Sequence, residues 1–143
     1  MAELVEQVAA KRMEHTLDEF QRVFPKAKAK FYLDPEGRGV IKVLDDRYLI
    51  GLEFVETAES WGSRKRLWEY ETALRNKCRL VVLAPKEVAM AARMRLLEFN
   101  QQWLFYYLVY SYDERMRLER IGRPRVMPET STYGSAQPLG GYL

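Results

Sequence analysis

One carboxylate stands inside an otherwise apolar run: Glu53, in the stretch YLIGLEFVE at residues 48–56. A buried carboxylate is costly unless it is paired or binds a metal. Two readings of Glu53 stay open. It is a metal ligand, or the relic of one, or it is the ion-pair partner of Arg64, Lys65 or Lys42. Asp45 and Asp46 are the nearest upstream carboxylates. Along an extended strand, at about 3.3 Å per residue, Asp46 lies roughly 20 Å or more from Glu53. They share a metal only if the connection folds back. Glu6 and Glu14, early in the chain, are further candidates for a second carboxylate.

A second group is Arg64-Lys65-Arg66, at the start of an expected helix. Cations there oppose the helix dipole, so a phosphate contact competes with the plainer reading of a solvated surface cluster. Arg93, Arg95, Arg115, Arg117 and Arg120 are interleaved with Glu98, Asp113, Glu114 and Glu119, which reads as a salt-bridged surface. Trp61, Trp68, Trp103 and the tyrosines at 106–107 and 110–112 could stack on bases. At helix or strand spacing such residues more often form core or a dimer interface. Cys78 has no histidine near it in sequence and reads as a packed thiol; His15, the single histidine, reads as a side chain on a partly buried helix face. Phosphate-binding glycine loops, dinucleotide fingerprints and Cys-x-x-Cys pairs are not found in the sequence.

These residues are positioned by elements that the pattern makes readable. Residues 3–24 form a first helix, with Leu4, Val5, Val8, His15, Phe20, Val23 and Phe24 near helical spacing and Pro25 as its stop. Three strands follow at 28–33, 40–44 and 48–56, separated by the turn sequence 34–39 and by Asp45-Asp46-Arg47. The third is apolar almost throughout, as a strand buried on both faces would be, and its Gly51 allows a neighbour to approach closely. Ser63 is an N-cap for a helix over 64–76, whose Leu67, Tyr70, Glu71 and Leu74 share a face. A fourth strand is expected at 79–84, a helix at 86–100 and a fifth strand at 103–110, with a helical alternative for this last segment. Residues 111–121 are charged and read as a short helix. From Gly122 the composition turns rich in Gly, Pro, Ser and Thr, so the division expected is 1–121 as an α/β domain and 122–143 as a tail that cannot fold alone and that, if ordered, docks on its own domain or on a second copy.

At 143 residues with 48% hydrophobic and 30% charged residues, one core can form without disulfides, and a single cysteine fits a reducing, cytoplasmic setting. The acidic N-terminus is unlike a secretory signal, and no apolar run reaches the roughly 18 residues of a membrane span. A net charge of +3 permits a nucleic-acid partner without demanding one.

The order helix, three strands, helix, strand, helix, strand resembles the core of the PD-(D/E)xK nuclease superfamily. Glu53 stands where that superfamily has its strand Glu, Lys65 and Tyr70 match the Lys and Tyr of its second helix, and RLVVLAP at 79–85 matches the following strand. Over residues 40–97 the pattern is most similar to the replication-relaxation branch, found on plasmids and other mobile elements. The resemblance implies a restriction-endonuclease-like fold: a mixed central sheet flanked by helices. It also implies a DNA partner and, in active members, Mg²⁺ held by two carboxylates with a lysine beside the attacked phosphate. In the simplest alignment the metal-binding Asp falls at Val40 and the lysine at Val55. The expectation is therefore a nuclease-like, DNA-associated or protein-interaction module without catalysis, in replication or maintenance of a mobile element. Two alternatives remain: a divalent-metal-dependent deoxyribonuclease rebuilt around Glu53, Lys65 and a carboxylate from Glu6, Glu14, Asp45 or Asp46, and a homo-oligomeric subunit with the 103–112 segment as its interface.

Overall fold

The computed structural model describes residues 2–98 and 107–122. Its first element, α1 (Ala2–Gln21), turns Val5, Val8, Ala9, Arg12 and Thr16 inward at spacings of three, one, three and four residues. That is one stripe of a helix with 3.6 residues per turn. The stripe lies on Ile41, Val43, Val55, Val81 and Leu83 of the sheet below. His15 is exposed, against the expectation of a partly buried place, because the inward stripe runs through Arg12 and Thr16 instead.

Three antiparallel strands follow: β1 (Lys28–Leu33), β2 (Gly39–Asp45) and β3 (Tyr48–Val55). The β1–β2 turn is closed by Asp34, whose Oδ1 accepts from the backbone N–H groups of Glu36 and Arg38, with Gly37 at φ 86°. The β2–β3 connection is a two-residue turn in which Asp46 takes φ 60°. Aspartate tolerates that left-handed conformation better than most residues. A Cβ on Gly51 would come within 2.8 Å of the Phe20 ring, so this glycine lets the end of α1 lie directly on the sheet.

Ser63 caps α2 (Arg64–Arg75), its Oγ accepting from the Arg66 N–H at 3.2 Å. The helix returns the chain to β4 (Arg79–Pro85), parallel to β3, and α3 (Ala89–Leu97) leads towards β5 (Tyr107–Tyr112), parallel to β4. Residues 111–121 are not the expected helix: they complete β5, turn at Asp113, and return as β6 (Leu118–Ile121), antiparallel to β5. Alternating burial along 107–112 also sets aside the helical alternative for that part of the segment. Residues 99–106, with Trp103, and the tail beyond Gly122 lie outside the described residues.

The strand order is β1-β2-β3-β4-β5-β6 in one mixed sheet, with α1 on one face and α2 and α3 on the other. The fold class is therefore α/β, as expected. Leu80, Val81, Val82, Leu83 and Ala84 of β4 are fully buried, which locates the core along the central parallel strands. No helix among the described residues is long and apolar enough to cross a membrane.

Candidate functional site

Side chains along β3 alternate between the two faces. Glu53 and Val55 point towards α1; Phe54, and Glu56 just past the strand's end, point towards α2. Two buried carboxylates thus leave one strand in opposite directions, and each enters its own arginine network.

On the α1 side, Arg12 Nε donates to Glu53 Oε1 at 2.8 Å and Arg12 Nη2 to Oε2 at 3.3 Å. Thr16 Oγ1 donates to Oε2 at 2.7 Å, and Arg79 Nη2 stands 3.5 Å from the same oxygen. Arg79 also bonds Glu19 at 3.1 Å and lies over the Phe20 ring. Arg12 lies over the Tyr110 ring. Burial opposes the charge on Arg12, but Glu53 more than offsets it, and the guanidinium is held above its ordinary value. Both oxygens of Glu53 are therefore occupied by fixed donors, two of them cationic.

On the α2 side, Glu56 Oε2 accepts from Arg38 Nη1 at 3.0 Å and from the Tyr70 hydroxyl; Oε1 accepts from Ser60 at 2.5 Å. Arg38 extends to Asp34 at 2.8 Å and to Glu69 at 2.7 Å. Arg66 binds Glu69 at 2.8 Å, Asp34 at 3.3 Å and also Glu36. The Glu56 backbone is fixed as well: its N–H donates to Leu83 and its carbonyl accepts from the Tyr112 hydroxyl at 2.6 Å. Burial and the Glu56 carboxylate push the Tyr70 hydroxyl well above its ordinary range, and burial and nearby acids push Tyr112 to about 12. This network stitches the β1–β2 turn, the ends of β3, β4 and β5, and α2 into one corner of the molecule.

The expected site residues part company in this arrangement. Glu53 pairs with Arg12, Thr16 and Arg79, rather than with Arg64, Lys65 or Lys42. Lys65 and Arg64 are exposed in the first turn of α2, which covers the face opposite to Glu53. Arg66, the third member of that cluster, is 1% exposed and ion-paired with four acids, Asp34, Glu36, Glu56 and Glu69, so it does not belong to an outward phosphate-binding set. Asp45 pairs with Tyr48 in the hairpin while Glu53 pairs with Ile41, a separation of about 16 Å along the strand. The hairpin does not fold back to bring Asp45 or Asp46 to Glu53. Glu6 and Glu14 are exposed, off the inward stripe of α1.

Register fixes which residues lie beside Glu53 and Val55. Val40 lies opposite Phe54 and joins the α2-side core, whereas the neighbour of Glu53 across the ladder is Ile41 and that of Val55 is Gly39. Neither Ile41 nor Gly39 offers a metal ligand. The donor set around Glu53 does not fit Mg²⁺, which needs several oxygen ligands: its oxygens are bound by arginines and a hydroxyl, and its neighbours are hydrocarbon. Among the described residues no group of three or more His, Cys, Asp or Glu side chains is arranged to hold a metal ion.

Comparison with protein-family models, with curated proteins and with solved structures finds no match for this chain. The reading of the site therefore rests on its own geometry.

Arg12 is one of several site residues, with Thr16, Arg38 and Arg79, that the sequence alone does not single out. Its signal was present: it lies four residues after Val8, seven after Val5 and four before Thr16, on the apolar stripe. A cation on that stripe and an acid inside an apolar strand imply each other. Cys78, read as a packed thiol, is buried with its thiol pushed up by that burial, and its Sγ donates to the Leu49 carbonyl at 3.5 Å. Of the 103–112 segment expected as an oligomer interface, residues 103–106 lie outside the described residues, and 107–112 form a strand between β4 and β6 with Tyr107, Val109 and Tyr112 buried.

Proposed function

We propose that this chain is a nuclease-like module without nuclease chemistry, which associates with DNA in the replication or maintenance of a mobile element. One observation carries the loss of chemistry: Glu53, the only residue of the resembling motif that could hold a metal, is instead the anion held by buried Arg12 and Thr16 and by the partly exposed Arg79. A cation arriving there would meet two guanidinium groups at close range, a repulsion that a poorly solvated interior magnifies. Val55 supplies no charge where the motif has lysine, and Lys65 stands in the opposite layer. The antiparallel β1–β2–β3 meander, the α2 crossover and the parallel β4 support a restriction-endonuclease-like core. The mobile-element setting rests on the resemblance alone. Arg64 and Lys65, free of the interior, are the residues offered to phosphate.

The deciding experiment is gel-shift and cleavage of single-stranded, duplex and branched DNA with Mg²⁺, Mn²⁺ or EDTA. It should be run on the wild type and on the double variant Arg12→Met/Glu53→Leu, which replaces the buried pair without leaving a lone charge. Binding that is indifferent to metal, with no cleavage, is expected. Metal-dependent cutting abolished in the double variant would overturn the proposal.

A further inference from the structure

The α2 face of the sheet is covered unevenly. Among the described residues α2 packs against β4, and α3 packs against β4, β5 and β6. Between α2 and the strands β1, β2 and β3 runs a groove of about 470 Å³, walled by Tyr32, Lys42, Leu49, Leu52 and Trp68. Trp68 is 64% exposed and Tyr32 45%. Both are large aromatic surfaces that the fold does not use for its core.

The strands beneath add charge. Ala29 and Phe31 pack towards α1, so Lys28, Lys30 and Tyr32 point the other way, to the groove side. Lys42 lies 5.4 Å from the centre of the Tyr32 ring, on that same side. In the ladder Lys30 stands directly opposite Lys42. Like charges at such a pair destabilise a sheet, and among the described residues no carboxylate forms an ion pair with Lys28, Lys30 or Lys42. Glu69, at the groove's end, is already bound by Arg38 and Arg66. On α2, Arg64, Trp68 and Thr72 follow one another at four-residue spacing, and Lys65 lies three residues before Trp68, so both outward cations flank the tryptophan.

We propose that this groove binds single-stranded nucleic acid, with unpaired bases stacking on Trp68 and Tyr32 and the phosphate backbone following Lys28, Lys30 and Lys42. The row of lysines, without a carboxylate partner among the described residues, calls for a polyanion. The two open aromatic faces beside it select one whose bases are accessible, which a duplex does not offer. This deepens the DNA-associated reading, on which it rests, by naming the face and the form of the ligand.

The test is titration of the full chain with fluorescent oligo-dT, the matching duplex and poly-glutamate, following anisotropy and tryptophan emission. Variants are Lys30→Ala/Lys42→Ala, Trp68→Ala and Trp68→Tyr, with circular dichroism to check the fold, since all three positions lie at the surface or groove. Oligo-dT is expected to bind more tightly than duplex and to quench tryptophan emission. Trp68→Ala should weaken binding about tenfold or more, and Trp68→Tyr should retain most of it. The lysine pair should lower the slope of log K against log salt by about 1.4. Oligo-dT affinity unmoved by all the variants would overturn this face while leaving DNA association standing. Equal binding of poly-glutamate, indifferent to Trp68→Ala, would instead assign the groove to an acidic protein segment. A dimer in sedimentation that dissolves on Trp68→Ala would assign it to a second copy. No binding of any nucleic acid would remove both this proposal and the reading beneath it.

Discussion

Glu53 and Glu56 leave the same stretch of chain through opposite faces of the sheet, and each is met by an arginine, Arg12 at 2.8 Å and Arg38 at 3.0 Å. The two pairs differ in what they join. Glu53 fastens α1 to the middle of the sheet; Glu56 fastens the β1–β2 turn and α2 to the ends of the parallel strands. In both cases the buried charge acts as a locating peg between layers that are otherwise held by non-directional hydrocarbon contact.

Breaking the first pair from one side leaves an uncompensated charge in the interior. Glu53→Ala should therefore cost about 3–5 kcal/mol, whereas Arg12→Met/Glu53→Leu should be close to neutral or stabilising. Urea unfolding of Glu53→Ala, Arg12→Met and the double variant checks this. Comparable losses in the single and double variants would mean that the pair contributes more than its own neutralisation.

Much of the strand pattern was legible because it is punctuated. β1 stands at the predicted residues, bounded by Pro25 and the Asp34 turn, and Ser63 caps α2 as its position before a helical run implied. The closeness allowed by Gly51 was legible too, though not that Phe20 would occupy it. The face on which Val40 lies was not, because a one-residue slip of register reverses every side chain, and the bulge at Val43/Leu44 is invisible in composition. β6 was missed since Leu118-Glu119-Arg120-Ile121 carries no period-two alternation of polarity. The site was half legible: Glu53 announced itself as a buried anion, but its partner sits 41 residues earlier on a helix, where an arginine ordinarily reads as surface.

The Asp34 turn predicts an acid limb. Burial raises the Asp34 carboxyl, but hydrogen bonds from the Arg38 side chain and backbone, the Arg38 charge and Arg66 outweigh it and hold the group below its ordinary value of 3.8. A folded value below the unfolded one means that the stabilisation is full above 3.8 and is lost as pH falls through the folded value. The urea midpoint should drop on acidification below about pH 4, and Asp34→Asn should flatten that drop while lowering stability at neutral pH.

The opposite sign holds at the alkaline end. Burial first, then Glu56, Glu59 and Glu87, push the Tyr112 hydroxyl from 10.0 to about 12, and Tyr70 is raised well above 10.0 by burial and Glu56. Both contribute stability that is complete below pH 10 and is lost as pH rises through their folded values. Tyr112→Phe should lower neutral stability by about 1–2 kcal/mol, through the lost bond to the Glu56 carbonyl, and should reduce the alkaline decline. Stability measured against pH by denaturant titration, with ultraviolet detection of tyrosinate, checks both statements.

The end of α2 carries a residue that the backbone does not favour. Lys77 adopts φ 62° just after the C-cap Asn76, its N–H bonding the Leu74 carbonyl at 3.0 Å while the Cys78 N–H bonds that of Ala73 at 3.0 Å. This is the closing pattern in which glycine is usual, because a side chain strains the left-handed conformation by about 1–2 kcal/mol. Lys77→Gly should relieve that strain, although glycine also loosens the unfolded chain, which returns part of the gain. The expected result is a rise in stability of about 0.5–1 kcal/mol, with the far-ultraviolet spectrum unchanged. Lys77→Ala keeps the strain and should give no such rise, so the two variants together separate backbone strain from the loss of the lysine charge.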